Sequence, residues 1–263
     1  MGIKSNRVLA SYFNRFGASG TLAPRPYVGV IAVGHVGSPY ISVYPFTSGT
    51  GFATKYANPS TLPAGTAYGV TFSLDGADLA VGHVGSPYVS VYPWSSGFGT
   101  KYSDPSTLPT GWGSQPAFSP DGAYLVVTHG TSPYVTAYPW TSGTGFGTKY
   151  ANPSTLPAGT CAGVKFSPDG ADLAVAHTGS PYVSVYPWSS GFGTKYSDPS
   201  TLPTDNGFGV AFSPDGADLA VVHNTSPYIA VYPWSSGFGT KYANPSTLPG
   251  TSRADRVAFS PAV

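Results

Sequence analysis

One histidine recurs in each copy of a repeated pattern, and these five histidines are the side chains best suited to chemistry. Imidazole groups in a fivefold array could surround a metal ion or an anion. Each histidine also shares a predicted strand face with Leu and Val residues, so it could instead form a hydrogen bond to a neighbouring turn. The sequence favours this structural role. The five residues are His35, His83, His129, His177 and His223.

Aspartates form a second repeated set, and each of them precedes a glycine. Paired carboxylates can act as general acid and general base. An aspartate before glycine in a turn more often accepts hydrogen bonds from its own backbone, and we expect that role here. The set comprises Asp75, Asp121, Asp169 and Asp215.

The remaining sequence offers no recognisable catalytic motif. Cys161 is the only cysteine, so there is neither a disulfide framework nor a cysteine-based zinc site. The chain contains no glycine-rich phosphate loop, no His-Glu-x-x-His helix and no nucleophile elbow. We therefore predict a protein that is not an enzyme and that uses no metal or cofactor.

A tryptophan follows Tyr-Pro in four of the copies, and Phe46 takes its place in the first. Exposed indole rings could serve as stacking platforms for sugars, with one glycan site per copy. An equivalent aromatic residue in every copy more often packs one repeat against the next, and the sequence favours that role. The four residues are Trp94, Trp140, Trp188 and Trp234.

The spacing of these residues follows a repeat marked by Ser-Pro-Tyr, which recurs every 46 to 48 residues. In one copy, a short strand at 163–167 ends in Ser-Pro-Asp-Gly, a turn phrase. The segment 171–177 alternates in strand period, 182–188 is a third strand and 193–196 a fourth. Four short antiparallel strands per repeat predict the blade of a β-propeller. We name these strands a, b, c and d.

The phrase Phe-Ser-Pro-Asp-Gly, followed by Leu-Ala-Val and an apolar strand ending in Trp, resembles the WD40-like propeller repeat over about residues 27–263. The Gly-His and Trp-Asp dipeptides of ordinary WD40 blades are missing, and Pro-Trp stands where Trp-Asp would be. The longer pattern, with Leu-Ala-Val-Ala-His and Ser-Pro-Tyr-Val, is similar to propeller repeats of phage and prophage tail- or fibre-associated proteins. This resemblance implies a virion component, such as a tail, fibre or surface protein, that attaches to other proteins.

The order of the strands predicts how the ring closes. The first strand b, at 27–35, has no strand a before it, and the last strand a, at 255–260, has no strand b after it. Pairing these two strands would remove two open sheet edges. We therefore predict an all-β fold: a closed five-bladed propeller of four-stranded antiparallel blades, whose C-terminal strand completes the N-terminal blade.

Composition agrees with many short strands joined by tight turns. The chain has 34 Gly and 27 Pro residues and no Glu. Its net charge of +1, from 12 basic and 11 acidic residues, gives no reason to expect a nucleic-acid partner. No apolar run is long enough to span a bilayer, and no signal-peptide pattern is seen. Apart from the virion, the expected location is that of a soluble protein.

The copies differ most in the loops that join strand d to the next strand a. In a propeller these loops surround one mouth of the central channel, where variation on a constant frame can carry recognition. Drift in unimportant loops is the alternative. A protein partner or a cell-surface glycan could bind there. The candidate binding residues are Tyr68, Trp112, Gln115, Asp205, Asn206 and Arg253.

Residues 1–26 lie outside the repeat and form a separate N-terminal arm. Apolar residues at helical spacing predict a short amphipathic helix, which Ser5 could cap and Gly17 could end. The arm could pack on the propeller, residues 27–263, or dock on a partner, and we favour the second: an anchor that attaches the propeller to another protein of its assembly. The predicted anchor residues are Val8, Leu9, Tyr12, Phe13 and Phe16.

Overall fold

A computed structural model describes residues 28–250 and 253–260. Within these ranges all regular secondary structure is β: sixteen strands form five antiparallel sheets of three or four strands, and no helix occurs. The predicted all-β class is confirmed. The predicted anchor residues of the N-terminal arm lie outside the described residues.

Each sheet corresponds to one copy of the repeat, and we number the sheets as blades 1 to 5. Blade 1 contains β1 (Val28–Gly34), β2 (Ile41–Thr47) and β3 (Gly51–Phe52). Blade 2 contains β4 (Ala67–Phe72), β5 (Asp78–His83) and β6 (Val89–Pro93). Blade 3 contains β7 (Gly113–Phe118), β8 (Tyr124–His129), β9 (Val135–Thr141) and β10 (Gly145–Phe146). Blade 4 contains β11 (Cys161–Phe166), β12 (Asp172–His177) and β13 (Val183–Pro187). Blade 5 contains β14 (Gly207–Phe212), β15 (Asp218–His223) and β16 (Ile229–Pro233).

The predicted four strands per blade are found in blade 3 alone among the described residues, because strand d is elsewhere an extended segment with few backbone bonds or, in blade 1, the two-residue β3 in a sheet that has no strand a. In blade 2, Gly99 N donates to Pro93 O at 2.8 Å and Tyr102 N donates to Val91 O at 2.9 Å. The equivalent two bonds occur in every other blade. Because these bonds are few, the segment follows strand c without a regular ladder beyond the short pairings of β3 and β10.

The a–b turn is built as the Ser-Pro-Asp-Gly phrase predicts. In blade 4, Asp169 Oδ1 accepts hydrogen bonds from Ser167 Oγ at 2.6 Å and Ala171 N at 3.1 Å. Gly170 closes the turn with a φ of +75°, a conformation that glycine adopts without steric cost. The Ser167 hydroxyl lowers the pKa of the Asp169 carboxyl below its usual value. The turn role of these aspartates is therefore confirmed.

Hydrophobic clusters fill the spaces between neighbouring blades and hold them together. One cluster joins each consecutive pair from blade 1 to blade 5. A tyrosine of strand c is fully buried in blades 2 to 5, and its hydroxyl donates to a backbone carbonyl of the preceding loop. In blade 2 this bond runs from Tyr92 Oη to Thr61 O, at 2.8 Å. Burying a ring while satisfying its hydroxyl adds apolar burial without an unpaired polar group.

The C-terminal segment 253–260 lies against β14 of blade 5. Ala254 N donates to His223 O at 3.4 Å, as Ala67 N donates to His35 O between blades 1 and 2. No strand is assigned to this segment, and within the described residues β1 pairs only with β2. The predicted pairing of the C-terminal strand with blade 1 therefore stays a prediction.

Among the described residues, no helix is long and apolar enough to cross a membrane.

Candidate functional site

Two aromatic side chains of adjacent blades meet at the start of the inner strands. The rings of Tyr68 and Trp112 contact edge to face, with centroids 5.4 Å apart, and they are 51% and 38% exposed. Trp112 lies over Gly130, where a Cβ atom would come within 2.3 Å of the indole ring. The glycine therefore lets the indole ring lie against the backbone while much of its surface stays in solvent.

Phe208 of blade 5 and Arg253 of the C-terminal segment occupy the positions equivalent to Tyr68 and Trp112. The Arg253 guanidinium carbon lies 4.6 Å from the centroid of the Phe208 ring, a cation–π contact. The same side chain forms an ion pair with Asp255, with 2.6 Å between Nε and Oδ1. An arginine thus replaces the tryptophan of the Tyr68–Trp112 pair at this position.

The polar candidates of blade 5 form a third contact. Asp205 Oδ1 accepts from Asn206 N at 2.7 Å, and Asp205 Oδ2 accepts from Asn224 Nδ2 at 3.2 Å. Asn224 N also donates to Asn206 O at 3.2 Å. These bonds commit the Asp205 carboxylate to holding the loop in place.

The six predicted binding residues are therefore distributed over several contacts rather than one cluster. Two of these contacts, the Tyr68–Trp112 pair and the Phe208–Arg253 pair, lie at equivalent positions at the start of the inner strands, and we call the two pairs together the aromatic face. Gln115 belongs to a different feature, because it lies within β7 and lines an internal cavity.

That cavity runs along the inner strands and has two adjoining sections of about 310 and 370 Å³. Its walls come from β4, β7, β11, β14 and residues 256–259. Lys165 and Arg256 are the charged residues in these walls, and Lys165 borders both sections. We call this feature the channel. Among the residues of the channel, only Gln115 was named in the sequence analysis. An alignment of the inner strands would have shown that Lys165 and Arg256 are the charged residues in otherwise uncharged positions.

The histidines are engaged with the framework. His177 Nδ1 lies 2.8 Å from Gly179 O and therefore donates to it, which leaves Nε2 to accept from Ser184 Oγ at 2.9 Å. Burial lowers the pKa of His83, His129 and His177 to about 4, so these rings are neutral at pH 7. No group of three or more His, Cys, Asp or Glu side chains in the described ranges could hold a metal ion. The favoured structural role is observed: the expected hydrogen bond to a neighbouring turn is made by His177 Nδ1, and a strand c hydroxyl is a second partner that the sequence did not predict.

The repeated tryptophans lie between blades. Trp140 and Trp234 are 4% and 6% exposed, and their indole nitrogens donate to Asp78 Oδ2 at 3.0 Å and Asp172 Oδ2 at 2.8 Å in the preceding blade. Trp188 is also buried, and Trp94 contacts three aromatic rings. The structure thus shows these rings packing between blades, as the recurrence of an aromatic residue in every copy favours, and the alternative that they stack sugars stays a prediction.

No protein-family model and no curated protein matches this chain. Solved structures do match it. A Bacteroides uniformis protein, provisionally named 6-phosphogluconolactonase, is 17% identical with a TM-score of 0.60, over 82% of this chain and 68% of that one. Sqt1 from Chaetomium thermophilum is 21% identical with a TM-score of 0.58, over 83% of this chain and 56% of that one. A Desulfotomaculum acetoxidans protein of unknown function is 12% identical with a TM-score of 0.56, over 77% and 61%.

These similarities show the fold alone, which is of the β-propeller type. This chain spans about two thirds of the first of these structures and 56% to 61% of the other two. The propeller class predicted from the repeat is thereby confirmed.

Proposed function

We propose that this protein is a binding scaffold that recognises a partner protein through the aromatic face. The observation that carries the proposal is the exposed Tyr68–Trp112 pair, since protein-binding sites are enriched in Tyr, Trp and Arg side chains. Arg253 over Phe208 extends the same chemistry to blade 5.

Binding rather than catalysis is favoured by the state of the ionisable groups. The best buried histidines are neutral and hydrogen-bonded, and the turn aspartates accept bonds from their own turns. Burial raises the pKa of the Cys161 thiol well above its usual value, which makes it a poor nucleophile. Because the histidines and turn aspartates recur in most blades, they suit a structural role in each blade better than a role in one reaction centre.

The scaffold we propose is a closed ring of five blades, with residues 254–259 as the inner strand of blade 1. Support comes from the packing of this segment. A Cβ atom at Gly209 would lie 2.9 Å from Asp255 O, as one at Gly163 would lie 2.8 Å from Phe208 O. Residues 255 and 256 thus stack on β14 as β14 stacks on β11.

The partner to test first is a component of a phage particle, attached through the aromatic face and residues 1–26. Its support is the resemblance of the repeat to tail- and fibre-associated propellers. A cell-surface glycan is the second candidate, because the exposed rings of Tyr68 and Trp112 could stack on a sugar.

The experiment compares Tyr68→Ala and Trp112→Ala with Leu74→Ala. Leu74 is 80% exposed and lies in the a–b turn, so it serves as a control for the loss of an exposed apolar side chain. Each protein is titrated against purified tail and fibre proteins by calorimetry and screened on a glycan array. We expect the two aromatic variants to lose binding by roughly tenfold or more, as hot-spot residues do, while Leu74→Ala binds normally. Equal binding by all variants would exclude the aromatic face, and loss of glycan binding alone would favour the second candidate.

A further inference from the structure

The channel wall is almost uniform, and it departs from uniformity at four polar side chains. The third residue of the aligned inner strands is glycine in three blades, and the fifth is alanine in three. The exceptions at the third position are Gln115 and Arg256, and those at the fifth are Thr71 and Lys165. All four line the section of the channel that has a volume of about 310 Å³.

Both charged exceptions are cationic, and the channel supplies no opposite charge. No acidic side chain of the described ranges borders either section. Lys165 is exposed to the channel and forms no ion pair with any described residue. The nearby carboxylate of Asp255 is already paired with Arg253.

Arg256 is held in place on the wall by two backbone acceptors. Its Nη1 donates to Phe208 O at 3.1 Å and to Asp255 O at 2.9 Å. These bonds occupy one nitrogen of the guanidinium group, and no described residue accepts from Nε or Nη2. The group therefore keeps donors available in the geometry that oxyanions bind.

We propose that the channel binds a small oxyanion, a phosphate or carboxylate group, between Lys165 and Arg256. Lys165 supplies a compact positive charge and Arg256 a second charge with directed donors. Gln115 and Thr71 add neutral polar groups to the same cavity, whose 310 Å³ is enough for a group of this size. Low-dielectric walls of Gly, Ala, Val and Phe strengthen the attraction between the anion and the two cations.

A purely structural role for the two cations is disfavoured by the sister blades. Ala117 and Ala211 stand where blade 4 has Lys165, and three glycines stand where the C-terminal segment has Arg256. Because these blades form the same inner strand without a charge, the framework does not require either cation.

The test uses substitutions that the sister blades already contain. Lys165→Ala, Arg256→Gly and the double variant are titrated with inorganic phosphate and with malonate, against sodium chloride at matched ionic strength. Lys241→Ala is the control, because Lys241 is a cation of an outer segment that bonds to Tyr242 O and Asn244. Binding is read from calorimetry and from the rise in melting temperature that a ligand of the native state causes.

We expect the unaltered protein and Lys241→Ala to bind at least one of the two anions saturably and with equal affinity. Each single channel variant should weaken binding by roughly tenfold, the order expected for one charged hydrogen bond, and the double variant should abolish it. Preference for phosphate or for malonate identifies the ligand's acidic group. Lack of saturable binding of both anions, or unchanged binding by the double variant, would overturn the proposal. If Arg256→Gly does not fold, Lys165→Ala compared with Lys165→Arg decides, since only the latter should retain binding.

Discussion

Each well-buried histidine depends on one hydroxyl group of the adjacent strand c, and blade 5 lacks that hydroxyl. His83, His129 and His177 have Ser90, Thr136 and Ser184 at 2.9 to 3.0 Å from Nε2. In blade 5 the equivalent residue is Ala230, and His223 Nε2 is buried without a partner among the described residues. The repeat thus contains its own comparison between a satisfied and an unsatisfied buried nitrogen.

Restoring the missing hydroxyl should stabilise the protein. Ala230→Ser would give His223 the partner that its sister residues have, and we expect the free energy of unfolding to rise by about 1 kcal/mol. Ser184→Ala should lower it by about 1–3 kcal/mol, because it leaves a buried nitrogen unpaired. The exposed Ser189→Ala is the control and should change little. Denaturant unfolding measures all three, and a destabilised Ala230→Ser protein would contradict the expectation.

Acid should destabilise the fold through the same histidines. Their pKa of about 4 in the folded state lies below the ordinary value of 6.5. Between these two values the unfolded chain binds protons that the folded chain excludes, so the free energy of unfolding falls as pH falls from 6.5 to 4. Each histidine can contribute up to about 1.4 kcal/mol per pH unit in this window, and none above it. Melting temperatures from pH 4 to 8 test this, and His177→Gln should show a shallower decline.

At the scale of the strand, an Asp at the start of strand b connects neighbouring blades. Asp78 accepts from Trp140 Nε1 of the next blade at 3.0 Å and from Tyr102 Oη of its own strand d at 2.7 Å. In blade 3 Tyr124 replaces this Asp and contacts Trp188 through its ring, with centroids 5.3 Å apart. Trp188 Nε1 is consequently buried without a hydrogen-bond partner in the described part of the chain.

Removal of the aspartate carboxylate should lower the free energy of unfolding more in a blade where it accepts two hydrogen bonds than in one where it accepts a single bond. Asp78→Ala leaves two donors unpaired, and we expect the free energy of unfolding to fall by about 2–4 kcal/mol. Asp218→Ala is the matched control, since Asp218 accepts from Tyr242 Oη and the aligned residue of blade 1 is Phe46 rather than Trp. We expect Asp218→Ala to lower the free energy of unfolding by about 1 kcal/mol. Equal losses, measured by urea unfolding, would show that the bond between blades contributes nothing.

Strand positions could be predicted because the repeat presents the same apolar alternation and turn phrase several times. The partner of each histidine could not, because it lies seven residues away on a strand whose register depends on the b–c turn. The channel cations were missed for a different reason. Lys165 and Arg256 are single exceptions in otherwise repeated strands, and only the arrangement of the strands brings them to one cavity.

At the scale of the whole molecule, the two end blades are covered less than the blades between them. Val33 of blade 1 is 44% exposed, whereas the equivalent Val81 and Val175 are fully buried. At the other end of the series, Ile229 and Val231 of blade 5 are half-buried, whereas the equivalent Val183 and Val185 of blade 4 are buried. Two incomplete apolar faces, one at each end of the series, are what a ring has before its ends meet.

Closure of the ring predicts one particular strand register. In blade 2, Val70 of strand a is the direct partner of Val81 of strand b. The aligned residues across the proposed closure are Val257 and Val33, so Val33→Cys with Val257→Cys should form a disulfide within one chain when Cys161 is replaced by Ala. Cα atoms of directly paired residues lie roughly 4.5–5.5 Å apart, within the range that a disulfide spans.

Val28→Cys with Val257→Cys is the out-of-register control, and mass spectrometry under non-reducing conditions identifies the products. We expect a cross-linked monomer from the first pair alone. Cross-linked dimers instead would mean that the C-terminal segment completes blade 1 of another copy, and absence of any cross-link would contradict closure by this strand.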